Sequence, residues 1–114
     1  MTVKANFDVA ARIDIVIPLL NDEGEFEDHD LDMRARLIRA SEGEGYFANA
    51  EETQVRDIIT KHVAEAPKII KDDDGNMFTL EELCDIPFIR NTMYQRLLDV
   101  SFNPQAAKGN LKPQ

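Results

Sequence analysis

The sequence predicts an α+β domain in which an N-terminal antiparallel β-hairpin packs on a C-terminal group of about three helices. Three observations carry that expectation. Apolar residues alternate with polar ones from Val3 to Leu19 and again from His29 to Leu37, the period of two that a half-buried strand requires. A Thr-x-x-Glu pattern at Thr79 and Glu82, followed by Pro87, marks two successive helix starts. The 114 residues suit one domain, long enough to bury a core without disulfide staples.

The first alternation places Val3, Ala5, Phe7, Val9, Ala11, Ile13, Ile15, Ile17 and Leu19 on one side. The β-branched residues gather in Arg12 to Leu19, so the strand proper belongs there. A break near Ala10-Ala11 is expected, because strands usually run about five or six residues, leaving residues 1–10 extended or mobile. Pro18 falls on the even, polar side, which predicts an edge strand or a strand end. Asn21-Asp22-Glu23-Gly24 is a turn signal. Beyond it His29, Leu31, Met33, Ala35 and Leu37 alternate with Asp30, Asp32, Arg34 and Arg36. A helix over this stretch would scatter Asp and Arg round its whole circumference. Two strands around a glycine-containing loop make a hairpin instead.

Ser41 to Gly45 reads as a loop, anchored by Tyr46-Phe47. Asn49 and Glu52 then resemble a helix cap. Val55, Ile58, Ile59, His62, Val63 and Ala66 form an apolar stripe through a helix of about Ala50 to Ala66, ended by Pro67. Ile69-Ile70 is a short apolar connector that pairs briefly with a strand, and Asp74-Gly75-Asn76 is a turn. Thr79 caps a short helix, Leu80 to Cys84, stopped by Asp85-Ile86-Pro87. Proline disfavours helical geometry in the residue before it yet suits the first position of the next helix. A last helix therefore runs from Pro87 to about Phe102, capped by Asp85 or Ile86. Its core stripe is Ile89, Met93, Leu97 and Val100, with Arg90, Asn91, Gln95, Arg96 and Asp99 mostly outside it. Residues 1–102 then form the domain, and 103–114 a flexible polar tail with almost nothing to bury.

Net charge −9 argues against nucleic acid and anionic membrane as primary partners. A lone cysteine, Cys84, and the lack of an apolar stretch after Lys4 fit a cytoplasmic protein. No catalytic group is suggested: there is no Ser-His-Asp or Cys-His grouping and no glycine-rich phosphate loop. Asp72-Asp73-Asp74-Gly75 invites comparison with a calcium loop, but Ile70 falls where the first oxygen ligand belongs, and Lys68 and Lys71 flank it. His29 and His62 have no partner at ligand spacing, so neither metal nor cofactor is expected. Cys84 reads as a small core residue. The carboxylates from Asp22 to Asp32 read as solvated surface rather than a catalytic pair. The expectation is a non-enzyme.

Four pieces of the second half resemble the tail assembly chaperones of long-tailed bacteriophages. They are the turn Lys71 to Asn76 (K-D-x-D-G-N), the junction Leu83 to Arg90 (L-x-D-I-P-x-I-R), the helix Asn91 to Val100 and the late Lys108 to Asn110. The front half is similar in Asn6-Phe7, in the aliphatic alternation Ile13 to Pro18 and in Glu25 to Ile38. Where family members often carry a tryptophan-containing segment, this chain has Ala66-Pro67-Lys68-Ile69-Ile70. The resemblance implies a non-catalytic protein of the host cytoplasm that binds the tape measure protein and keeps it soluble during tail assembly. The tail tube protein and self-association are further partners it suggests. Phe88, Tyr94, Leu98 and Phe102, beside the core stripe of the last helix, are the expected partner-binding residues. The competing class is an acidic mimic of DNA, or another small phage or prophage regulatory binding protein. Seven acidic residues from Asp22 to Asp32 favour mimicry, and Arg34, Arg36 and Arg39 directly after them oppose it.

Overall fold

The computed structural model describes residues 2–42 and 52–107. Strands β1 (Ala11–Leu20) and β2 (Phe26–Ala35) form an antiparallel hairpin, in register from Ala11↔Ala35 to Leu20↔Phe26. The expected break at Ala10-Ala11 is where β1 begins. The loop is tied by Asn21, whose side-chain oxygen accepts from the amides of Glu23 at 2.9 Å and Glu25 at 3.0 Å. Gly24 supplies the positive φ, +79°, that closes it. The odd face carries the core: Ile13, Ile15, Ile17 and Ala35 have no exposed surface and Met33 has 1 %. Residues 2–10 lack regular structure and are largely exposed.

β1 is an edge strand, since the sheet order is β1-β2-β3. The Asp14 carbonyl points away from β2 and accepts from Arg96 Nε at 2.8 Å. Backbone groups alternate in direction along an antiparallel strand, so Pro18 shares that outward parity and its missing N–H removes no ladder bond.

The third strand was not expected. Helix α1 (Glu52–His62) ends at His62, not at Ala66, and Val63–Glu65 forms β3 against the end of β2. Val63 lies in phase with the apolar stripe of α1, so periodicity alone extends the helix through it. Pairing decides otherwise, because the end of β2 would leave backbone groups unsatisfied. Ala35 pairs with Val63 and Arg34 with Glu65, with a bulge between Arg34 and Ala35. The Arg36 amide donates to the His62 carbonyl at 2.8 Å, and His62 Nδ1 lies 2.9 Å from the Arg36 carbonyl. The helix thus stops where its last residue becomes a bridge to the sheet.

Ile70 pairs with Met77 in an isolated antiparallel bridge across the intervening turn. Asp72 organises that turn, accepting from the amides of Asp74 at 3.0 Å and Asn76 at 3.1 Å and from Asn76 Nδ2 at 2.8 Å. Helix α2 (Leu80–Cys84) has the full capping box: Glu82 N to Thr79 Oγ1 at 3.2 Å and Thr79 N to Glu82 Oε1 at 3.0 Å. Asp85 ends it. Ile86, in extended geometry, caps α3 (Pro87–Phe102), with Pro87 in its first turn. On α3 the expected stripe Ile89, Met93, Leu97 and Val100 is buried, and Arg90, expected outside it, is buried too at 8 % exposure. With Tyr94 included the buried arc spans about 140° of the helix, at 3.6 residues per turn. It is wide because α3 touches β1, α1, α2 and the following turn together.

The polar tail begins later than 103. Pro104–Ala107 makes one 3-10 turn whose Ala106 is 9 % exposed, and Arg96 Nη2 donates to the Ala106 carbonyl at 2.7 Å. That bond, from the guanidinium already anchored on β1, holds the turn against the domain. The expected Tyr46-Phe47 anchor, the Asn49 cap, the loop beyond Glu42 and the tail from Lys108 lie outside the described residues.

The parity of β1 makes a direct prediction. Ile15→Ala is expected to lower unfolding free energy by about 2–5 kcal/mol through lost burial and a residual cavity. Val16→Ala, one residue on and half-buried on the solvent face, should cost under about 1 kcal/mol. Urea titrations of both variants measure this, and similar losses would contradict the register.

Candidate partner-binding surface

The four residues expected to bind a partner do not form one surface. Tyr94 is 9 % exposed and belongs to the core, where burial pushes its phenol pKa up. Leu98 is half-buried against that core. Phe88 and Phe102 are exposed, at 40 % and 72 %. They lie on the same side of α3 but about 21 Å apart along it, at 1.5 Å per residue. Exposed Asn91, Gln95 and Asp99 occupy the space between. The outer side of α3 is therefore polar in the middle and aromatic at each end.

At the first end the hairpin joins in. The Phe88 ring meets Phe26 edge to face, with centroids 5.9 Å apart and planes at 83°. Phe26 is 61 % exposed and pairs across the ladder with Leu20, which is 63 % exposed. The following rungs on the same face are Pro18↔Asp28, Val16↔Asp30 and Asp14↔Asp32. The solvent face is thus two columns, with Val16, Pro18 and Leu20 on β1 and Asp28, Asp30 and Asp32 on β2. Toward the base Arg12 closes the acidic column, 2.8 Å from Asp32 and 3.5 Å from Asp14, and the hydrogen bond to Asp32 raises the Arg12 pKa.

The charge of the chain resides almost entirely here. Residues 13–33 hold eight Asp and Glu and no Lys or Arg, leaving 14 acidic against 13 basic residues elsewhere. The hairpin is an acidic arm on a nearly neutral body. The sequence hides this surface because Lys4, Asn6, Asp8, Arg12 and Asp14 make the side that Pro18 shares look polar. Val16, Pro18 and Leu20 as consecutive even residues were the available signal; the approach of Phe88 to Phe26 had none.

At the other end, Phe102 stands beside an open groove of about 540 Å³ lined by Asn6, Phe7, Val9, Leu37, Ile38 and Pro104. Arg39 lies over the Phe7 ring at 5.7 Å and pairs with Asp8 at 3.5 Å, which holds the N-terminal segment across the groove.

The groups weighed for chemistry are dispersed. Among the described residues no three His, Cys, Asp or Glu side chains converge to hold a metal ion. The Asp72 carboxylate is engaged by its own turn, and the hydrogen bond from the Asn76 side chain leads the interactions that lower its pKa. His29 is exposed on the hairpin, while His62 is 1 % exposed beneath it. Cys84 is buried and burial raises its thiol pKa. Among the described residues no helix is long and apolar enough to cross a membrane. No family model, curated protein or solved structure matches the chain.

His62 has a consequence for stability. Its ring faces Glu42, with Nε2 3.7 Å from Oε2, and Glu42 also meets Lys61 at 3.2 Å and Arg36 at 3.6 Å. Burial holds the imidazole below the ordinary histidine value of 6.5, against the opposing pull of the Arg36 carbonyl and Glu42. The unfolded chain therefore takes up the proton first, so stability is complete above pH 6.5 and declines as pH falls below it. For Glu42, burial opposes ionisation, but the Arg39 amide and the surrounding cations outweigh it and lower its pKa. It adds a second loss below its ordinary value of 4.5. The urea midpoint should be flat above about pH 7 and fall as the pH drops below 6.5, with His62→Gln flattening the fall. A midpoint that rises on acidification in that window would contradict the burial of a neutral ring.

Proposed function

We propose that the protein is a non-catalytic tail assembly chaperone of a long-tailed bacteriophage, acting in the host cytoplasm. In this reading it binds the largely helical tape measure protein and keeps it soluble while the tail tube assembles. The observation that carries the reading is the exposure of Phe88 and Phe102 at the two ends of α3, each beside further exposed apolar side chains. Large aromatics held at the surface of a strongly acidic, soluble chain suit reversible capture of an apolar partner. The motifs of the resemblance support it from the other side. Lys71 to Asn76 is the turn organised by Asp72, and Leu83 to Arg90 is the α2–α3 junction that presents Phe88.

A second reading, an acidic mimic of DNA, is favoured by the concentration of charge on the hairpin. It needs carboxylates spread densely over a whole face, because duplex DNA carries about one charge per 1.7 Å. The outer face of the hairpin carries one column of them beside an apolar one.

Titration of a helical tape-measure fragment separates the readings. Phe88→Asp or Phe102→Asp, both at exposed positions, should weaken binding by about 2 kcal/mol or more at whichever end the partner sits. Neutralising Glu23, Glu25 and Glu27 should change affinity little. No binding by the parent protein, or intact binding by both aromatic variants, would remove the chaperone reading. Loss only on neutralisation would favour the mimic.

A further inference from the structure

The two columns on the hairpin's solvent face specify what they would bind. Val16, Pro18 and Leu20 form an apolar line that Phe26 and Phe88 extend at the tip. Asp28, Asp30 and Asp32 run beside it, about 4.8 Å away across the ladder. Alternate residues of a strand are about 6.8 Å apart, close to the rise of about 6.0 Å between positions i and i+4 of a helix. A helix laid along the hairpin can therefore set apolar side chains on β1 and a row of cations on β2. We propose that this face docks a cationic amphipathic helix of a protein partner, with Leu20, Phe26 and Phe88 as the apolar anchor and Asp28 and Asp30 as the charge register.

Charge decides the sign of the occupant. The arm from Ile13 to Met33 has eight carboxylates and no Lys or Arg, so an anionic helix, an anionic membrane or the arm of a second copy is repelled. At the base, Arg12 engages Asp32 and Asp14, and the apolar anchor of Leu20 and Phe26 on the last rung sets the docking register at the opposite, distal end. Asp28 and Asp30 are exposed on the rungs toward that end. The apolar column distinguishes this surface from a diffuse acidic one. Leu20 and Phe26 keep more than three-fifths of their surface in water although they face each other across the last rung. The inference gives the chemistry of the contact in the chaperone reading, on which it rests only for the partner's identity.

The test uses the full chain and a synthetic peptide of about 18 residues, long enough to form a helix. It carries Lys along one stripe at i and i+4 and Leu on the adjacent stripe; a counterpart has Glu for every Lys. The Lys peptide should bind and the Glu peptide should not. Leu20→Ser with Phe26→Ser, and separately Asp28→Asn with Asp30→Asn, should each weaken binding about tenfold or more. Glu23→Gln with Glu25→Gln removes the same charge from the loop and should weaken it less than about threefold. Phe88→Ser reads the same anchor from α3 if the hairpin variant loses its fold. Equal loss in the two charge variants, or full binding without the apolar anchor, overturns the proposal by reducing the contact to net charge. A tape-measure fragment that binds all variants alike would overturn it while leaving the chaperone reading intact. Failure of that fragment to bind at all, with the peptide pattern as expected, would remove the chaperone reading alone.

Discussion

The contact between α3 and the isoleucine row of β1 sets the terms for everything else in this fold. Ile13, Ile15 and Ile17 lose all their surface against a helix whose Met93 and Leu97 lose all of theirs. At about 1.5–3 kcal/mol for each large apolar side chain buried, this seam supplies most of the drive to hold sheet and helices together. It also has a limited length. Rungs near Ala11 and Ala35 lie over the helices, whereas Glu27 and His29, on the same face nearer the tip, are exposed. One continuous ladder is thereby divided into a rooted half and a displayed half.

That division explains how a small core coexists with large exposed apolar side chains. The rooted half is reinforced by polar bonds the core needs, chiefly Arg96, which reaches both the Asp14 and Ala106 carbonyls. Charged donors to otherwise unpaired carbonyls are among the stronger hydrogen bonds in proteins, and this one also blunts the open edge of β1. The exposed ion pairs elsewhere contribute little individually. Toward the tip Leu20, Phe26 and Asp28 on the outer face are exposed. Phe26 there meets Phe88 in a T-shaped contact, and Phe88 follows directly on the Pro87 that starts α3.

Features that depend on neighbours in sequence were legible. The hairpin followed from strict alternation, the α2 cap from two residues three apart, and the α2–α3 junction from the constraint Pro87 places on Ile86. What depended on distant pairing was hidden. The phase of Val63 continues that of α1 and so predicts helix across β3, and only its pairing with Ala35 marks the change. Tyr94 looked surplus on α3, and it is buried because α3 covers a wide arc against β1, α1, α2 and the following turn. Of the candidate surface, Phe88 and Phe102 were visible as surplus aromatics. The partnership of Phe88 with Phe26 was not, since nothing local brings a loop-flanking residue to the start of the last helix. The segregation of charge onto residues 13–33 was visible in principle, yet its meaning depends on which face those carboxylates occupy.

The most direct test is the amide and methyl footprint of a tape-measure fragment bound to isotope-labelled protein. If the displayed half of the hairpin is the binding surface, shifts will gather at Val16, Leu20, Phe26, Asp28, Asp30 and Phe88. Ile13 and Ile15, facing the core on the same strand, will stay in place. A footprint centred on the Phe7–Phe102 groove or on α1 and α2, with the hairpin tip silent, would contradict it.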